Sequence, residues 1–336
     1  MNHESVSRPD PEPSAWPVLV TGAGGFVGGH IARHLAHAGH PVRGLARSRP
    51  EHHGDDPAID WAIGDVRDPS VRTRAVEGMR GVVHAAGWVS LGSDRRGLSH
   101  EVNVVATREL LENAHRAGVS RFVYTSTLHT MAAGSIAHPA DEATPWNLEC
   151  VDSPYSRTKR QAEDIVRRAS GERFETVVLC PGMVLGRRDP KPTSTRLLRI
   201  LARTSVAVLP RGGIPIVDAN VLALAHRRAL TSGQPGGRYA VVGPYLSYPE
   251  LARLVGEVTG RPRVVLTAPD LAKRPLMFLA GLAGLLRIET EFTVASVAGA
   301  YLSLHVSGCQ ADKCFRLEHP RPLDTVREAL DYGLHS

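Results

Sequence analysis

Short apolar runs alternate along the first half of the chain with stretches in which apolar residues recur every three or four positions. Val18–Thr21 is such a run and ends in glycines, and Phe26–His37 follows it with helical spacing of its apolar residues. The same alternation predicts further strands and helices, in chain order at 42–46, 59–63, 71–79, 82–86, 103–117, 122–126, 154–169 and 176–179. Strands that alternate with helices are typical of a parallel sheet with right-handed crossovers.

The character of the chain changes after the last of these strands, in a segment rich in Pro, Gly and Arg. We therefore predict an α/β protein, a doubly wound parallel Rossmann sheet with a smaller, mainly helical C-terminal substrate lobe. The Rossmann domain takes residues 16–182, with 214–245 returning to it. The substrate lobe takes 183–213 and 246–336. Residues 1–15 form a flexible tail, because they contain prolines and charges but no apolar stretch that would make a secretory signal.

Composition agrees with a soluble enzyme. Hydrophobic residues make up 42% and charged residues 22% of the chain, which argues against the disordered, collagen-like and membrane-spanning classes. The longest apolar run, 276–286, is shorter than the roughly 20 residues that a membrane span needs. The formal net charge of +6 is scattered along the chain, which disfavours nucleic acid as a partner. The four cysteines form no CxxC pair, so we expect reduced thiols in the cytoplasm and no metal site.

A glycine-rich turn joins the first strand to the first helix. Gly22 permits the tight turn, Gly25 lets the backbone approach a pyrophosphate, and Gly28 lets helix and strand pack closely, with the anion at the helix N-terminus. A turn that merely connects the two elements is the alternative, but the position between strand and helix favours a dinucleotide site. The residues predicted to bind the dinucleotide here are Gly22, Gly24, Gly25, Phe26, Val27 and Gly28.

The end of the second strand indicates which dinucleotide is bound. Folds specific for NAD carry an Asp or Glu there, about 20 residues after the glycines, to hold the ribose hydroxyls. Here no carboxylate is present, whereas Arg47, Ser48 and Arg49 can meet a 2′-phosphate. We predict NADP(H), with NAD(H) as the alternative, although solvated surface arginines would give the same sequence. Asp65 and Val66 follow the third strand, where Asp65 can either accept a hydrogen bond from the adenine or cap a helix.

Tyr155 and Lys159 lie four residues apart at the start of a predicted helix, so one helix face carries both the phenol and the ammonium. A free tyrosine has a pKa near 10, and proton transfer near pH 7 needs a shift of about 3 units, or about 4 kcal/mol. A lysine charge about 4 Å away supplies that much at an effective dielectric near 20. A solvated helix face is the alternative. The hydroxyls of Thr125, Ser126 and Thr127 end the preceding strand and favour an active site, since strand carboxyl ends hold ligands in a doubly wound sheet.

Several motifs resemble those of one enzyme family, namely TGAGGFVG at 21–28, GDV at 64–66, VVHAAG at 82–87, YSRTK at 155–159 and PGMVLG at 181–186. Together they resemble the extended short-chain dehydrogenase/reductase family, within the NAD-dependent epimerase/dehydratase superfamily. Inside it, the chain looks most like the branch of dihydroflavonol reductases and 3β-hydroxysteroid dehydrogenases. The resemblance covers the chain from Pro17 to about Leu246 and is thin beyond. It is specific for the family and much less so for the substrate.

The resemblance implies a role for each motif residue. Tyr155 would be the acid/base, Lys159 would hold the ribose and lower the pKa of the phenol, and Thr127 would bind the substrate oxygen. Asn103 would buttress the active site, although a helix cap is an equally good interpretation. The other residues implied to contact the cofactor are Ala85, Ala86, Gly87, Thr125, Pro181, Gly182, Met183 and Val184.

These residues predict hydride transfer between a nicotinamide and a carbonyl or secondary alcohol, with net reduction of a ketone or aldehyde. We expect a largely apolar small-molecule substrate, because the residues that follow the strand ends are mainly apolar or aromatic. The helices within 275–304 would form a lid. Any pocket residue can instead belong to the core. The predicted pocket residues are Trp88, Val89, His129, Met131, Trp146 and Met183.

Two other functions stay open at this point. A nucleotide-sugar epimerase or dehydratase would hold NAD tightly, which is disfavoured by Ala46 in place of the acidic residue and by Leu128 and His129 where 4,6-dehydratases carry an acidic pair. A redox sensor that binds NADP without catalysis is disfavoured by the intact proton-transfer residues. A homodimer is implied only by the habit of the family.

Overall fold

A parallel sheet of seven strands forms the centre of the computed structural model, which describes residues 15–50, 56–89, 94, 97–189, 195–286 and 293–331. The strands are β1 (Val18–Thr21), β2 (Val42–Ala46), β3 (Asp60–Ile63), β4 (Gly81–His84), β5 (Arg121–Thr125), β6 (Glu175–Pro181) and β10 (Gly237–Val241). They lie in the order β3-β2-β1-β4-β5-β6-β10, and every neighbouring pair is parallel. The order reverses between β1 and β4, so a crevice for a ligand opens at the carboxyl ends of these two strands.

Helices cover both faces of the central sheet. One face carries α2 (Pro69–Val76), α4 (Ala106–Arg116) and α5 (Pro154–Arg168), and the other carries α1 (Phe26–His37), α7 (Ala219–Ala229) and α11 (Cys309–Phe315). The strands supply alternate residues to the two cores. In β1, Leu19 joins the first core, whereas Val18 and Val20 join the second. This arrangement confirms the predicted doubly wound fold.

One predicted helix begins earlier than expected and contains a wide turn. α3 (Leu98–His100) continues through a π-helical turn at Glu101–Val105 into α4, whereas the sequence predicts a plain helix at 103–117. Gly97 precedes α3 with φ +66°, a left-handed conformation that favours glycine. Isolated π-turns occur frequently at functional sites, and Asn103 lies in this one.

The chain beyond β6 adds two small sheets and a third core. β7 (Met183–Leu185), β9 (Gly213–Asp218) and β11 (Tyr245–Ser247) form a three-stranded sheet, and β8 (Val206–Leu209) pairs in parallel with β12 (Val264–Thr267). The third core is shared by α6 (Arg196–Arg203), α8 (Tyr248–Val258) and α12 (Pro322–Asp331). α9 (Lys273–Leu285) contacts α10 (Val294–Ala300). The C-terminal region is helical as predicted, and it also contains β8, β11 and β12, which the sequence pattern does not predict.

The division into a Rossmann domain and a substrate lobe stays a prediction. Within 214–245, β10 pairs with β6 in the central sheet, whereas β9 lies in the three-stranded sheet. The predicted tail at 1–15 lies outside the described residues except for its last residue. Across the part of the chain that the structure describes, no helix combines the length and the hydropathy of a membrane span. The same residues contain no cluster of His, Cys, Asp and Glu side chains that could ligate a metal ion.

Candidate active site

The glycine turn after β1 has the close packing that its sequence predicts. Gly22 has φ +70°, and a Cβ atom added there would lie 2.8 Å from the backbone N of Ala86. A Cβ on Gly28 would lie 2.2 Å from the carbonyl O of Gly22, so α1 packs directly against the turn. α1 begins after Gly25 with no side-chain cap, which leaves its first N–H groups to an anion. This cradle fits the pyrophosphate of a dinucleotide.

The end of β2 lies next to this turn and carries the predicted phosphate-binding side chains. A Cβ added to Gly24 would lie 3.1 Å from the Cβ of Ala46 and 3.7 Å from the carbonyl O of Ser48. Arg47 and Ser48 are both exposed. Their side chains are therefore accessible to a nucleotide bound across the turn.

Asp65 is bound by a neighbouring arginine that the sequence analysis does not single out. Its Oδ1 accepts from the backbone N of Arg67 at 2.9 Å, and its Oδ2 accepts from Nη2 of Arg67 at 2.9 Å. Arg67 also donates to Glu101 at 3.2 Å. The hydrogen bonds from Arg67, with a smaller contribution from the charge of Arg47, hold the pKa of Asp65 below its usual value. The residue that caps α2 is Asp68, so the helix-cap interpretation of Asp65 is wrong.

Asn103 ties the loop after β4 to the start of α5. Its Oδ1 accepts from the backbone N of Trp88 at 2.7 Å, and its Nδ2 donates to the backbone O of Trp88 at 2.9 Å and to Oγ1 of Thr158 at 3.1 Å. A Cβ added to Gly87 would lie 3.4 Å from Oδ1 of Asn103 and 3.8 Å from Nζ of Lys159. Because Asn103 lies inside a helical segment, the helix-cap interpretation is wrong, and these contacts are those of a buttress.

The start of α5 places Tyr155 and Lys159 beside the end of β5. Ser153 and Ser156 form a capping box that fixes where the helix begins, and Tyr155 therefore falls in its first turn. Nζ of Lys159 donates to the backbone O of Thr125 at 2.6 Å. The two side chains that the sequence places on one helix face thus lie at the carboxyl end of the central sheet.

The hydroxyls of Thr127 and Tyr155 come together with the ring of His129. Oγ1 of Thr127 lies 3.3 Å from Nδ1 of His129, and the hydroxyl of Thr127 is near enough to the phenol to act on the pKa of Tyr155. The rings of His129 and Tyr155 are 6.5 Å apart between centroids and stand at 70° to each other. A substrate oxygen placed against Thr127 and Tyr155 would meet two hydroxyl donors, and His129 lies next to that position.

The pKa values of the Tyr155 and Lys159 side chains differ from the sequence expectation. Burial raises the pKa of Tyr155, and the hydrogen bond with Thr127 offsets only part of this rise. Burial lowers the pKa of Lys159 to about 7, and the nearby carboxylate of Glu163 offsets only part of this effect. The expected depression of the phenol pKa is therefore wrong for this structure, because burial of the phenol disfavours its charged form and outweighs the other influences on its pKa.

A buried charged network behind the pair was missed by the sequence analysis. Glu163 lies one helical turn beyond Lys159 and accepts from Oγ of Ser126 at 2.8 Å and from Nη1 of Arg238 at 3.2 Å. Its side chain is 3% exposed, and Sγ of Cys180 donates to it at 3.7 Å. The network joins α5 to β6, to β10 and to the end of β5. The four-residue spacing of 155, 159 and 163 is the signal that could have found Glu163.

A second buried chain joins the two strands that flank the crevice. Nδ1 of His84 lies 2.7 Å from Oγ1 of Thr21, and Nε2 lies 2.9 Å from Oγ1 of Thr107. Thr21 also accepts from the backbone N of Ala86 at 3.2 Å. Burial lowers the pKa of His84 to about 3, so the ring is neutral and holds the ends of β1 and β4 in place. The sequence analysis assigned no role to this histidine.

The other predicted site residues differ in exposure. Trp146 donates from Nε1 to the backbone O of His129 at 3.2 Å, next to the hydroxyl pair. Met131 is fully buried and belongs to the core that also contains residues of α4 and α5, and its assignment to the substrate pocket stays a prediction. At least partly exposed are Phe26, Val27, Ala85, Ala86, Gly87, Trp88, Val89, Gly182 and Met183. Buried are Val66, Thr125, Pro181 and Val184.

The lowered pKa of Lys159 predicts how stability changes with pH. A lysine in the unfolded chain titrates near 10.4, so between about pH 7 and 10 the unfolded chain binds a proton that the folded protein has lost. The free energy of unfolding should rise with pH across this range, by up to about 1.4 kcal/mol per pH unit, and this contribution should become flat below pH 7. Denaturant titrations between about pH 7 and 8 measure the slope. Lys159→Met removes the titrating group, so the free energy of unfolding of this variant should lack this rise with pH. Equal slopes of the free energy of unfolding against pH in Lys159→Met and wild type would contradict the lowered pKa of Lys159.

The sequence of this chain is similar to those of known reductases over most of its length. A family model described as the NAD dependent epimerase/dehydratase family matches residues 18–234. The chain is 32% identical over 259 residues to a putative dihydroflavonol 4-reductase of Synechocystis, and the match covers 75% of each protein. It is 31% identical over 265 residues to a 2-alkyl-3-oxoalkanoate reductase of Stenotrophomonas maltophilia, covering 74% of this chain and 77% of the relative.

A solved structure is similar over almost the whole fold. The UDP-glucose 4-epimerase of Thermus thermophilus, crystallised with NAD, superposes with a TM-score of 0.75 and covers 95% of this chain and 99% of its own. Its sequence is 23% identical, so the likeness concerns the Rossmann-type fold alone.

Proposed function

The chain belongs to the NAD-dependent epimerase/dehydratase family, and from this premise we propose that it is an NADP(H)-dependent ketoreductase. It transfers a hydride between the nicotinamide and a carbonyl or secondary alcohol of a largely apolar small molecule. The observation that carries the proposal is the grouping of Thr127, Tyr155 and Lys159 at the end of β5. Thr127 and Tyr155 both lie beside His129, and Nζ of Lys159 donates to the backbone O of Thr125. Residues 183–213 and 246–336 would supply the substrate lobe.

The residues around the crevice fit a bound dinucleotide. The turn between Gly22 and Gly28 would hold the pyrophosphate at the start of α1. Arg47 and Ser48 would bind the 2′-phosphate, and Asp65 would meet the adenine. Lys159, beside the backbone of Gly87, would hold the ribose. When bound, the nicotinamide supplies or accepts the hydride.

The side chains supply the proton and stabilise the charge. Tyr155 donates its phenolic proton to the substrate oxygen as negative charge develops there, and Thr127 donates a second hydrogen bond to the same oxygen. Hydride and proton together convert C=O into CH–OH. The charged form of Lys159 stabilises the phenolate that remains until it is protonated from solvent. A phenol whose pKa is raised by burial stays protonated near neutral pH, so it is in the form that donates a proton during reduction.

The surroundings of the hydroxyl pair favour a substrate with an apolar part. Trp146 lies next to His129, and the guanidinium of Arg160 stacks 3.7 Å from its ring. The backbone of Trp88, which follows the neighbouring parallel strand β4, is held by Asn103. The relatives in Synechocystis and Stenotrophomonas are both named as reductases, one of them of a 2-alkyl-3-oxoalkanoate. We therefore propose that this chain reduces a ketone that bears an alkyl or aromatic group.

A spectrophotometric assay tests this function. Purified protein is mixed with NADPH or NADH and a panel of dihydroflavonols, 3-oxo acids, oxosteroids and UDP-sugars, and oxidation of the nicotinamide is followed by absorbance. We expect oxidation of NADPH with one of the ketones. A strong preference for NADH would contradict the assignment of the 2′-phosphate site. Epimerisation of a sugar nucleotide without net oxidation of the cofactor would replace the ketoreductase with an epimerase.

Arg47→Ala tests the assignment of NADP(H) at a single side chain. Loss of a charge-assisted hydrogen bond to the 2′-phosphate should lower kcat/KM for NADPH by about tenfold or more and leave that for NADH close to wild type. Steady-state rates with both cofactors measure the effect. The matched control is Arg168→Ala, an exposed arginine in the last turn of α5, which should change neither. An equal loss with both cofactors would show that Arg47 does not read the phosphate.

A further inference from the structure

α9 exposes large apolar side chains to solvent. Phe278, Leu282 and Leu285 are 72%, 42% and 80% exposed, although side chains of this kind contribute most when they are buried. Leu271, in the turn just before the helix, is 89% exposed. Scattered exposed apolar residues are ordinary, but a run of them along one short helix marks an interaction surface.

The strand pair that precedes α9 exposes a second set of apolar side chains. Val206 on β8 lies opposite Val264 on β12, and Val208 lies opposite Leu266. All four are more than half exposed, whereas Ala207 between the two valines is buried. The pair therefore has one face packed on the third core and one apolar face toward solvent. We call the exposed apolar side chains of this strand pair and of α9, taken together, the apolar face.

Basic residues flank the apolar face along the chain. Residues 203–211 contain Arg203 and Arg211 and no acidic residue. Residues 261–274 contain two arginines before β12 and Lys273 and Arg274 at the start of α9, against Asp270 as the one acidic residue. Of these cations, Arg203, Arg211, Arg261 and Arg274 are exposed. An apolar surface beside several basic side chains is complementary to a surface that is apolar inside and anionic outside.

We propose that the apolar face docks this protein onto an anionic lipid bilayer. The 13 residues of α9 are about 20 Å long and shorter than the roughly 30 Å of a bilayer core, so the helix lies along the interface. Its phenylalanine and leucines enter the boundary between headgroups and acyl chains, while the arginines and lysine meet lipid phosphates. A second copy of the chain is a poorer occupant, because it would bring two basic surfaces together. The proposal stands independently of the ketoreductase activity.

Co-sedimentation of the full chain with sucrose-loaded vesicles tests the proposal. We expect at least about tenfold more binding to mixed phosphatidylcholine and phosphatidylglycerol vesicles than to phosphatidylcholine alone, and loss of that binding at high salt. Phe278→Glu combined with Leu282→Glu should lower partitioning by about tenfold or more. Arg274→Glu should lower it by about fivefold or more.

A matched control separates the apolar face from exposed apolar residues in general. Ile136 is 81% exposed on a different segment, and Ile136→Glu should bind vesicles as wild type does. Circular dichroism of each variant checks that the fold is retained. Wild type that stays in the supernatant with phosphatidylglycerol vesicles, or an Ile136→Glu variant that loses as much binding as the Phe278 and Leu282 variant, would overturn the proposal. A third result would also overturn the proposal: wild type is a dimer by light scattering, the Phe278→Glu and Leu282→Glu changes dissociate it, and neither protein binds vesicles. The apolar face would then join two copies of the chain.

Discussion

Replacing Tyr155 with phenylalanine should lower kcat for ketone reduction by about 10²- to 10⁴-fold, the range expected when a positioned general acid is lost. The aromatic ring remains beside His129, so the packing of the site is kept and NADPH affinity should stay close to that of wild type. Rates of NADPH oxidation and a fluorescence titration with NADPH measure the two quantities on the same preparation.

Tyr301→Phe is the control for removing a tyrosine hydroxyl. Its Oη donates to the carbonyl O of Pro269 at 3.4 Å and is hydrogen-bonded to none of the proposed catalytic residues, so kcat should not change. If Tyr155→Phe kept full activity, the proton would have to come from another group. If Tyr155→Phe bound NADPH as wild type does, and wild type itself reduced no substrate, the protein would be better explained as a sensor that binds the cofactor without catalysis.

Gly28→Ala should disturb both the fold and cofactor binding. The added methyl group would lie 2.2 Å from the carbonyl O and 2.6 Å from the carbonyl C of Gly22, and these backbone atoms cannot rotate away. α1 must therefore move off the turn. We expect the free energy of unfolding to fall by about 1–3 kcal/mol, and NADPH to bind at least about tenfold more weakly because the first turn of α1 moves away from the phosphate position. Denaturant titration and calorimetric titration with NADPH measure these effects.

Gly281→Ala is the matched control for a glycine inside a helix. A Cβ there would meet only Cγ2 of Val294, at an ordinary contact distance of 3.7 Å. Since alanine has the higher helix propensity, the free energy of unfolding should rise by about 0.5–1 kcal/mol. A similar loss of stability in both variants would mean that crowding against Gly22 is not the cause.

The parts of the fold that neighbouring residues specify could be predicted from the sequence. The bounds of β1 and α1 agree with the structure at Val18–Thr21 and Phe26–His37, because an apolar strand, a glycine turn and an amphipathic helix follow one another along the chain. The pairing of Tyr155 with Lys159 needed only the pitch of one helix. Their predicted place at the end of the sheet followed from the rule for parallel strands.

The parts that distant segments specify could not be predicted in this way. β12 is a strand because it pairs with β8, with Val264 opposite Val206. The short apolar sequence of either strand does not show that the other is there to pair with it. Arg238 reaches Glu163 across 75 positions of sequence. The direction of the Tyr155 pKa shift was wrong because it depends on how much solvent the surrounding elements remove, a quantity that residue spacing does not contain.

The π-helical turn at Glu101–Val105 bears on how related sequences are aligned. Such a turn accommodates an extra residue relative to an α-helix, and each residue of an α-helix advances by about 100° around the axis. In a homologue that lacks one residue of this turn, α4 can keep its position while a different side chain faces the backbone of Trp88. A sequence alignment without a gap at the turn would then pair Asn103 with a residue that lies on another side of the homologue's helix.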